Sequence, residues 1–178
     1  MADDSTTLRA GHQDDALLLH AGGRLTAEFC PAIKAYCNED GHGACRRVHV
    51  HLHECIYFDS TFLGTLLCLR GKFGEEGVIL MTPSEECLEG LKRMGAHVLF
   101  PILKDPLPGD VDWTSLTERV ASRDEFDFQH NVLEAHVELA RMPGPMQKVY
   151  EPIARQAQKE FDEKFNWDSD TIRMPRPK

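Results

Sequence analysis

The segment VHVHLH, residues 48–53, constrains the fold more than any other part of the chain, because apolar residues alternate strictly with histidines. A period of two is that of a β-strand, which puts the two valines and the leucine on one face and the histidines on the other. Beyond Asp59-Ser60-Thr61, leucines recur at helical spacing until Gly74. The pattern therefore predicts a strand that leads into a helix at this tripeptide.

Apolar runs of strand length alternate with helical patterns along the first hundred residues. The predicted strands are 16–21, 48–53, 78–81 and 97–102, and the predicted helices begin near Thr26, after Thr61 and at residues 82–84. Thr26 is a suitable cap for the first of these helices. The alternation predicts an α/β domain over residues 15–103, a small mixed sheet of about four strands with helices packed against it.

The flanking segments differ from this domain in composition. We predict a flexible N-terminus (1–14), a Pro-, Gly- and Asp-rich linker (104–122), a C-terminal helical extension (123–166) and a flexible tail (167–178). Pro152 should kink the second helix of the extension or mark its start. That helix carries an apolar stripe that needs a partner surface, which can be its own sheet, a second copy in a homodimer, or another protein.

Charge and composition exclude several classes of function. A net charge of −9 argues against nucleic-acid binding, which needs clustered Lys and Arg. No apolar run approaches the roughly 20 residues that span a bilayer, and the N-terminus lacks the pattern of a signal peptide. The six cysteines form no C-x-x-C pair, so reduced structural thiols are expected. We therefore predict a cytoplasmic protein with no membrane contact.

The strand-to-helix junction resembles the signature of the STAS-domain anti-sigma factor antagonists. In that family an apolar strand leads to Asp-Ser-Ser/Thr-Gly-Leu-Gly at the start of a helix. Residues 57–64, YFDSTFLG, match in order and without gaps, except that Phe62 stands where the family usually has Gly. Residues 23–26, GRLT, resemble the family's Gly-x-Leu/Ile-Asp turn, with Thr26 in place of Asp. Residues 83–95 resemble its third helix, so the resemblance implies a STAS fold over residues 15–103.

The resemblance also implies a function. In this family the serine after the aspartate, here Ser60, is phosphorylated by an anti-sigma factor that is itself a serine kinase. The unphosphorylated antagonist binds that kinase and frees the sigma factor, and a serine phosphatase resets the switch. The resemblance thus implies Ser60 as phosphoacceptor and a set of partner-binding residues: Gly23, Arg24, Thr26, Asp59, Thr61, Phe62 and Gly64.

Two other interpretations of the junction remain open at this point. Asp, Ser and Thr are also the residues that any helix N-terminus prefers for capping, without a switch. The same surface could instead dock constitutively in a structural STAS subunit, such as those that accompany lipid-transport ATPases or signalling scaffolds. In both cases Ser60 would carry no phosphate.

The histidines of the predicted strand 48–53 raise the question of a metal. His49, His51 and His53 share one face, and rings two residues apart lie roughly 7 Å from each other, so two could share a zinc ion. No pattern names the remaining ligands, and we predict no metal and no cofactor. A small-molecule or metal-binding module that uses this face is the weaker alternative. Because the phosphate-loop, nucleophile-elbow and H-E-x-x-H motifs are absent, we also predict that the protein is not an enzyme.

Overall fold

The computed structural model describes residues 6–121 and 124–166, and a mixed sheet of seven strands lies at the centre of this part of the chain. The strands are β1 (Thr7–Gln13), β2 (Ala16–Leu25), β3 (Arg47–His51), β4 (Cys55–Phe58), β5 (Val78–Met81), β6 (Ile102–Leu103) and β7 (Thr114–Ser115). The helices are α1 (Cys30–Cys37), α2 (Ser60–Phe73), α3 (Glu85–Arg93), α4 (Thr117–Ala121), α5 (Glu125–Ala140) and α6 (Gln147–Phe165). The predicted α/β architecture, a mixed sheet with helices packed against it, is confirmed.

The sheet combines a parallel part with an antiparallel edge. Strands β6, β5, β3 and β2 are neighbours in that order and parallel, while β1 and β7 continue the sheet with antiparallel pairing. The short strand β4 pairs with the end of β2, so that Gly23 lies beside Cys55 and Leu25 beside Phe58. This pairing brings the 23–26 turn next to the strand-to-helix junction.

The two faces of the sheet have different covers. Leu17 and Leu19 of β2 and Val48 and Val50 of β3 point into a core that they share with the helices. The opposite face carries the histidines of β2 and β3, and the segment that precedes β7 crosses it. Trp113 of that segment lies 6.2 Å from the ring of His20. The alternation in residues 48–53 therefore separates a helix-covered face from a histidine face, as a strand requires.

The C-terminal extension packs on the helical layer. Helix α5 lies along α2, and α6 lies along α5 with a small apolar cluster between them. An ion pair between Lys34 and Glu134 also ties α5 to α1. Of the three partner surfaces considered for the extension, the chain's own domain is the one observed, but the contact is with helix α2 and not with the sheet. A homodimer through these helices stays a prediction.

Two predicted segment boundaries are wrong. Residues 7–13, expected to be flexible, form β1, because Leu8 and Ala10 reach the core while Arg9 between them faces away. Too few apolar residues mark this strand for its pattern to be recognised in isolation. The expected linker 104–122 contains β7 and α4, and its Leu116 and Val120 belong to the core. Residues 1–5, 122, 123 and 167–178 of the predicted segments lie outside the described residues.

Smaller differences concern strand count and element ends. The sheet has three strands more than the four predicted, since β1, β4 and β7 were not recognised. The last predicted strand, 97–102, is wrong except at its end, because residues 97–100 form turns and β6 begins only at Ile102. Pro152 lies inside α6 and does not mark its start. Among residues 6–121 and 124–166, no helix combines the length and the apolar character needed to cross a membrane.

Candidate functional site at the start of helix α2

Asp59 is the residue that joins β4 to α2, and its carboxylate connects two helix starts. Oδ1 accepts a hydrogen bond from the Phe62 amide at 2.9 Å, which caps α2. Oδ2 accepts a second hydrogen bond from the Ala27 amide at 2.8 Å, in the turn that leads into α1. One side chain thus satisfies unpaired N–H groups at two helical N-termini and holds the 23–26 turn against the junction.

Thr26 does not cap the first helix as the sequence predicted. Its backbone occupies the cap position of the short 3₁₀ turn Ala27–Phe29, but its side chain makes no capping hydrogen bond. Its hydroxyl instead donates to Glu28 at 3.3 Å. Because Asp59 already accepts from the Ala27 amide, the turn is closed without a carboxylate at position 26.

Ser60 is the first residue of α2 and is half-buried. Its Oγ lies 3.4 Å from Nε2 of His136, a buried residue of α5. No sequence signal connects these two residues, since 76 positions separate them and His136 lies in an ordinary amphipathic helix. The tertiary structure therefore adds an imidazole to the site that the sequence analysis did not include.

Three residues predicted to bind a partner are inside the fold. Phe62 is 1% exposed and packs beside Phe58, and Thr61 is 4% exposed. A Cβ added at Gly64 would lie 2.6 Å from the carbonyl carbon of Ala135, so α2 and α5 touch there at backbone distance. In this structure Thr61, Phe62 and Gly64 contact the core and α5, and α5 occupies the face of α2 that a partner was predicted to bind.

The other predicted contact residues remain at the surface. Arg24 is exposed, and its guanidinium lies 4.4 Å from the centre of the Tyr57 ring. Tyr57 and its neighbour Ile56 are 39% and 45% exposed, which is unusual for large apolar side chains on a strand. We call Arg24, Thr26, Ile56 and Tyr57 the Arg24–Tyr57 patch. It lies beside Asp59 and Ser60 and joins two predicted contact residues, Arg24 and Thr26, to Ile56 and Tyr57, which were not predicted. The predicted contacts Gly23 and Asp59 are half-buried.

A shallow groove continues this patch toward α3. Its volume is about 410 Å³, and its lining residues are Ile56, Tyr57, Phe58, Glu85, Glu86, Glu89, Gly90 and Arg93. Ser84 caps α3 by accepting from the Cys87 amide at 3.0 Å, as the sequence predicted for a helix that opens near residues 82–84. The groove therefore places exposed apolar side chains between glutamates and one arginine.

On the other side of the sheet, His20 is held by two charged residues. Its Nδ1 accepts a hydrogen bond from Nη2 of Arg9 at 2.8 Å. A guanidinium can only donate, so the ring proton of neutral His20 is on Nε2. Nε2 lies 3.1 Å from Oε2 of Glu54, although not at the angle of a full hydrogen bond. Burial lowers the pKa of His20 and keeps the ring neutral.

This arrangement bears on the question of a metal. Potential ligand atoms of His20, His53 and Glu54 lie within 4.8 Å of one another, so the structure supplies neighbours that the sequence did not name. A metal at this place would need the lone pair of His20 Nε2. Because Nδ1 accepts from Arg9, Nε2 carries the ring proton and has no free lone pair. The Arg9 guanidinium would also repel a cation. The Arg9 guanidinium and the Glu54 carboxylate beside a neutral His20 account for the trio without a metal, and the absence of a metal stays a prediction.

Comparison with solved structures shows what this fold is similar to. The chain is similar to the anti-sigma factor antagonist SpoIIAA in its unphosphorylated form, with a TM-score of 0.47 and 16% identity over 57% of this chain and 90% of that chain. No protein-family model matches the sequence. A search of curated proteins also finds no match. The case for a function therefore depends on the residues at the start of α2.

Proposed function

We propose that this protein is a non-enzymatic, cytoplasmic STAS-type regulator, an anti-sigma factor antagonist whose contact with a serine-kinase anti-sigma factor is controlled by phosphorylation of Ser60. The observation that carries the proposal is the position of the Ser60 hydroxyl. It is half-buried at the first residue of α2, beside the exposed Arg24–Tyr57 patch. A serine phosphatase would return the protein to its binding form.

A phosphate on Ser60 is compatible with the fold. The first N–H groups of a helix have no intrahelical acceptors, and the helix dipole adds partial positive charge there. The carboxylate of Asp59 is directed to the amides of Ala27 and Phe62. Phosphorylation would therefore add about −1.5 to −2 charges next to the patch and leave both hydrogen bonds of Asp59 in place.

The same charge would alter partner binding. Residues 23–26 are held next to Ser60 through the hydrogen bond between Ala27 and Asp59. A partner seated on the Arg24–Tyr57 patch would bury the new phosphate, and an unpaired buried charge costs several kcal/mol. That cost is enough to remove an interface of moderate affinity. The switch then works by blocking a partner.

The departure of Phe62 from the family pattern does not oppose this proposal. A bulky residue beside Ser60 would be an obstacle if it pointed outward. In the structure its ring lies in the core, 6.0 Å from the ring of Phe58. The surface around Ser60 is shaped by α5 and the 23–26 turn, so the extra volume of Phe62 is not presented to a partner.

The test is phosphorylation by the cognate serine kinase with ATP, followed by mass spectrometry of the peptides. We expect one phosphate on Ser60 and none on Thr61, whose side chain is buried. Ser60→Ala should abolish the modification and keep the kinase complex, while the matched variant Thr61→Val should leave both unchanged. Ser60→Asp should weaken the complex. Phosphate on Thr61 alone, or a Ser60→Asp variant that binds like the parent, would contradict the proposal.

One observation favours a second candidate function. Helix α5 covers Thr61 and Gly64, so part of the surface implied by the family resemblance is unavailable to a partner in this structure. A structural STAS subunit that docks constitutively through the Arg24–Tyr57 patch needs no access to that surface. Such a subunit would show equal partner affinity for the parent, Ser60→Ala and Ser60→Asp, with loss on Tyr57→Ala.

A further inference from the structure

The hydrogen bonds of His136 determine which of its nitrogens carries the proton. Nδ1 lies 2.8 Å from the carbonyl oxygen of Val132 in the preceding turn of α5. A carbonyl oxygen can only accept, so Nδ1 donates and carries the ring proton. Nε2 of the neutral ring is then an acceptor, and it faces Ser60 Oγ at 3.4 Å. The Ser60 hydroxyl therefore donates its hydrogen to His136.

Asp59, the neighbouring carboxylate, is not placed to take that proton. Its two oxygens accept from the amides of Phe62 and Ala27, one oxygen to each. Both oxygens are therefore already engaged as acceptors at the two helix starts. Of the two groups beside Ser60, the imidazole is the one with a lone pair directed at the hydroxyl.

The imidazole is also held rigidly. Its neighbour Ala135 lies against Gly64 at backbone distance, and Glu134 forms an ion pair with Lys34 of α1. His136 itself is buried, which restricts the ring to this orientation. Ser60 is thus hydrogen-bonded to a base, His136, and the Val132 carbonyl orients that base. This is the arrangement of an activated hydroxyl.

We propose that His136 is the proton acceptor for Ser60 when this serine attacks a phosphoryl donor. Oγ forms a bond to the γ-phosphorus of a nucleoside triphosphate held by the partner kinase, and the bond from that phosphorus to the β,γ-bridging oxygen breaks. The Oγ proton moves to Nε2 of His136. The products are phosphoserine, nucleoside diphosphate and an imidazolium that faces the new phosphate. The identity of the donor rests on the function proposed above, whereas the activation of Ser60 does not.

The activation is tested first without a kinase, with a fluorophosphonate probe and peptide mapping. Oγ would bond to phosphorus, fluoride would leave, and the proton would move to His136. We expect labelling of Ser60 in the parent and none in Ser60→Ala. In His136→Gln the labelling rate should fall by a factor of about 100 or more. Glutamine can keep both hydrogen bonds but cannot take up the proton, so a purely structural role would survive this change. His130→Gln, on the same helix, is the matched control and should react like the parent.

A second measurement leaves His136 in place. In Ser60→Cys, the imidazole should favour the thiolate, so iodoacetamide should alkylate the introduced thiol at least about tenfold faster than Cys45 and Cys68 of the same chain. Both native thiols are half-buried, and burial raises the pKa of each. An introduced thiol that reacts no faster than these internal references would overturn the proposal.

The kinase reaction then separates this proposal from the proposed function. If the parent is probe-labelled at Ser60 but receives no phosphate from the kinase, the switch function fails and the activated hydroxyl stands. If the kinase phosphorylates the parent and His136→Gln at equal rates, the function stands and the role of His136 fails. Absence of probe labelling in the parent would also refute the activation.

Discussion

Asp59 and Gly64 act at the two ends of the first turn of α2, and each does something that a different residue could not. Asp59 offers two acceptor oxygens to two amides from different elements. Gly64 has no side chain where the backbone of Ala135 approaches. The position of Ser60 between the turn and α5 is therefore determined by one carboxylate and one missing methyl group.

Gly64→Ala tests the second of these roles. The new Cβ would lie 2.7 Å from the Cα of Ala135, and backbone cannot move aside as a flexible side chain can. We expect the free energy of unfolding, measured by urea denaturation, to fall by about 1–3 kcal/mol. The contact between Ser60 and His136 should loosen as α5 shifts, which would also slow probe labelling of Ser60.

Gly71→Ala is the matched control on the same helix. A Cβ at Gly71 meets nothing within 4 Å, so only the helix propensity of alanine should count. We expect a gain in stability of up to about 1 kcal/mol. If Gly64→Ala were as stable as Gly71→Ala, the close approach of α2 and α5 would be refuted.

At the scale of elements, β3 is unusual because histidines on its polar face are buried. His51 is 1% exposed, and both of its ring nitrogens lack a hydrogen-bond partner among the described residues. Burial, with a smaller contribution from the neighbouring rings of His49, His20 and His53, lowers its pKa to about 4. Burial also lowers the pKa of His49. The strand is thus stable only with neutral histidines.

The histidine face should therefore make the protein sensitive to acid. Between pH 6.5 and about 4 the unfolded chain binds a proton at His51 that the folded chain does not bind, so stability falls as the pH falls through this window. The loss from His51 alone is ~3 kcal/mol. His51→Leu should reduce the slope of unfolding free energy against pH without abolishing it, since His20 and His49 shift in the same direction.

The control for this prediction is His97→Leu, because His97 is exposed and lies outside the sheet. Its pH profile, measured by denaturation at several pH values, should match that of the parent. A His51→Leu variant with the parent's full acid sensitivity would show that the loss of stability arises elsewhere.

At the scale of the whole molecule, the C-terminal extension belongs to the same core as the sheet. Residues of α5, α6 and the turn between them join the main apolar cluster: Leu139, Ala140, Met142, Tyr150 and Ala154. A smaller cluster around Leu133, Val137 and Phe161 holds α6 to α5. The extension therefore completes the domain and covers the apolar surface of α2.

A chain that ends at Leu103 should behave differently from the parent. It lacks β7, the segment over the histidine face and both long helices, so apolar area of α2 becomes exposed. We expect aggregation or a changed oligomeric mass by light scattering. A chain that ends at Ala121 keeps β7 and should show an intermediate melting temperature. A monomeric fragment with the parent's melting temperature would show that the extension is independent.

Local sequence patterns were enough to predict several of the strands and helices. The period-two segment at 48–53, the helix after Asp59 and the helix that opens at residues 82–84 could be predicted because each depends on residues within a few positions of one another. The polar residues of β1 and the short β7 gave no such signal, since each becomes a strand only through the neighbour it pairs with. Pairing with a distant strand is not encoded in a short window.

The site shows the same division. Asp59 and Ser60 were recognisable at a helix start, but the burial of Phe62 was decided by the core around Phe58, and the cover over Gly64 by where α5 packs. The contact of Ser60 with His136 joins residues 76 positions apart, and that of His20 with Glu54 joins β2 to the turn that precedes β4. Such contacts form because distant elements pack together to bury apolar surface. No single segment determines that packing. The sequence by itself thus determined the strand, the helix and the serine, and the tertiary structure alone decided which groups surround that serine.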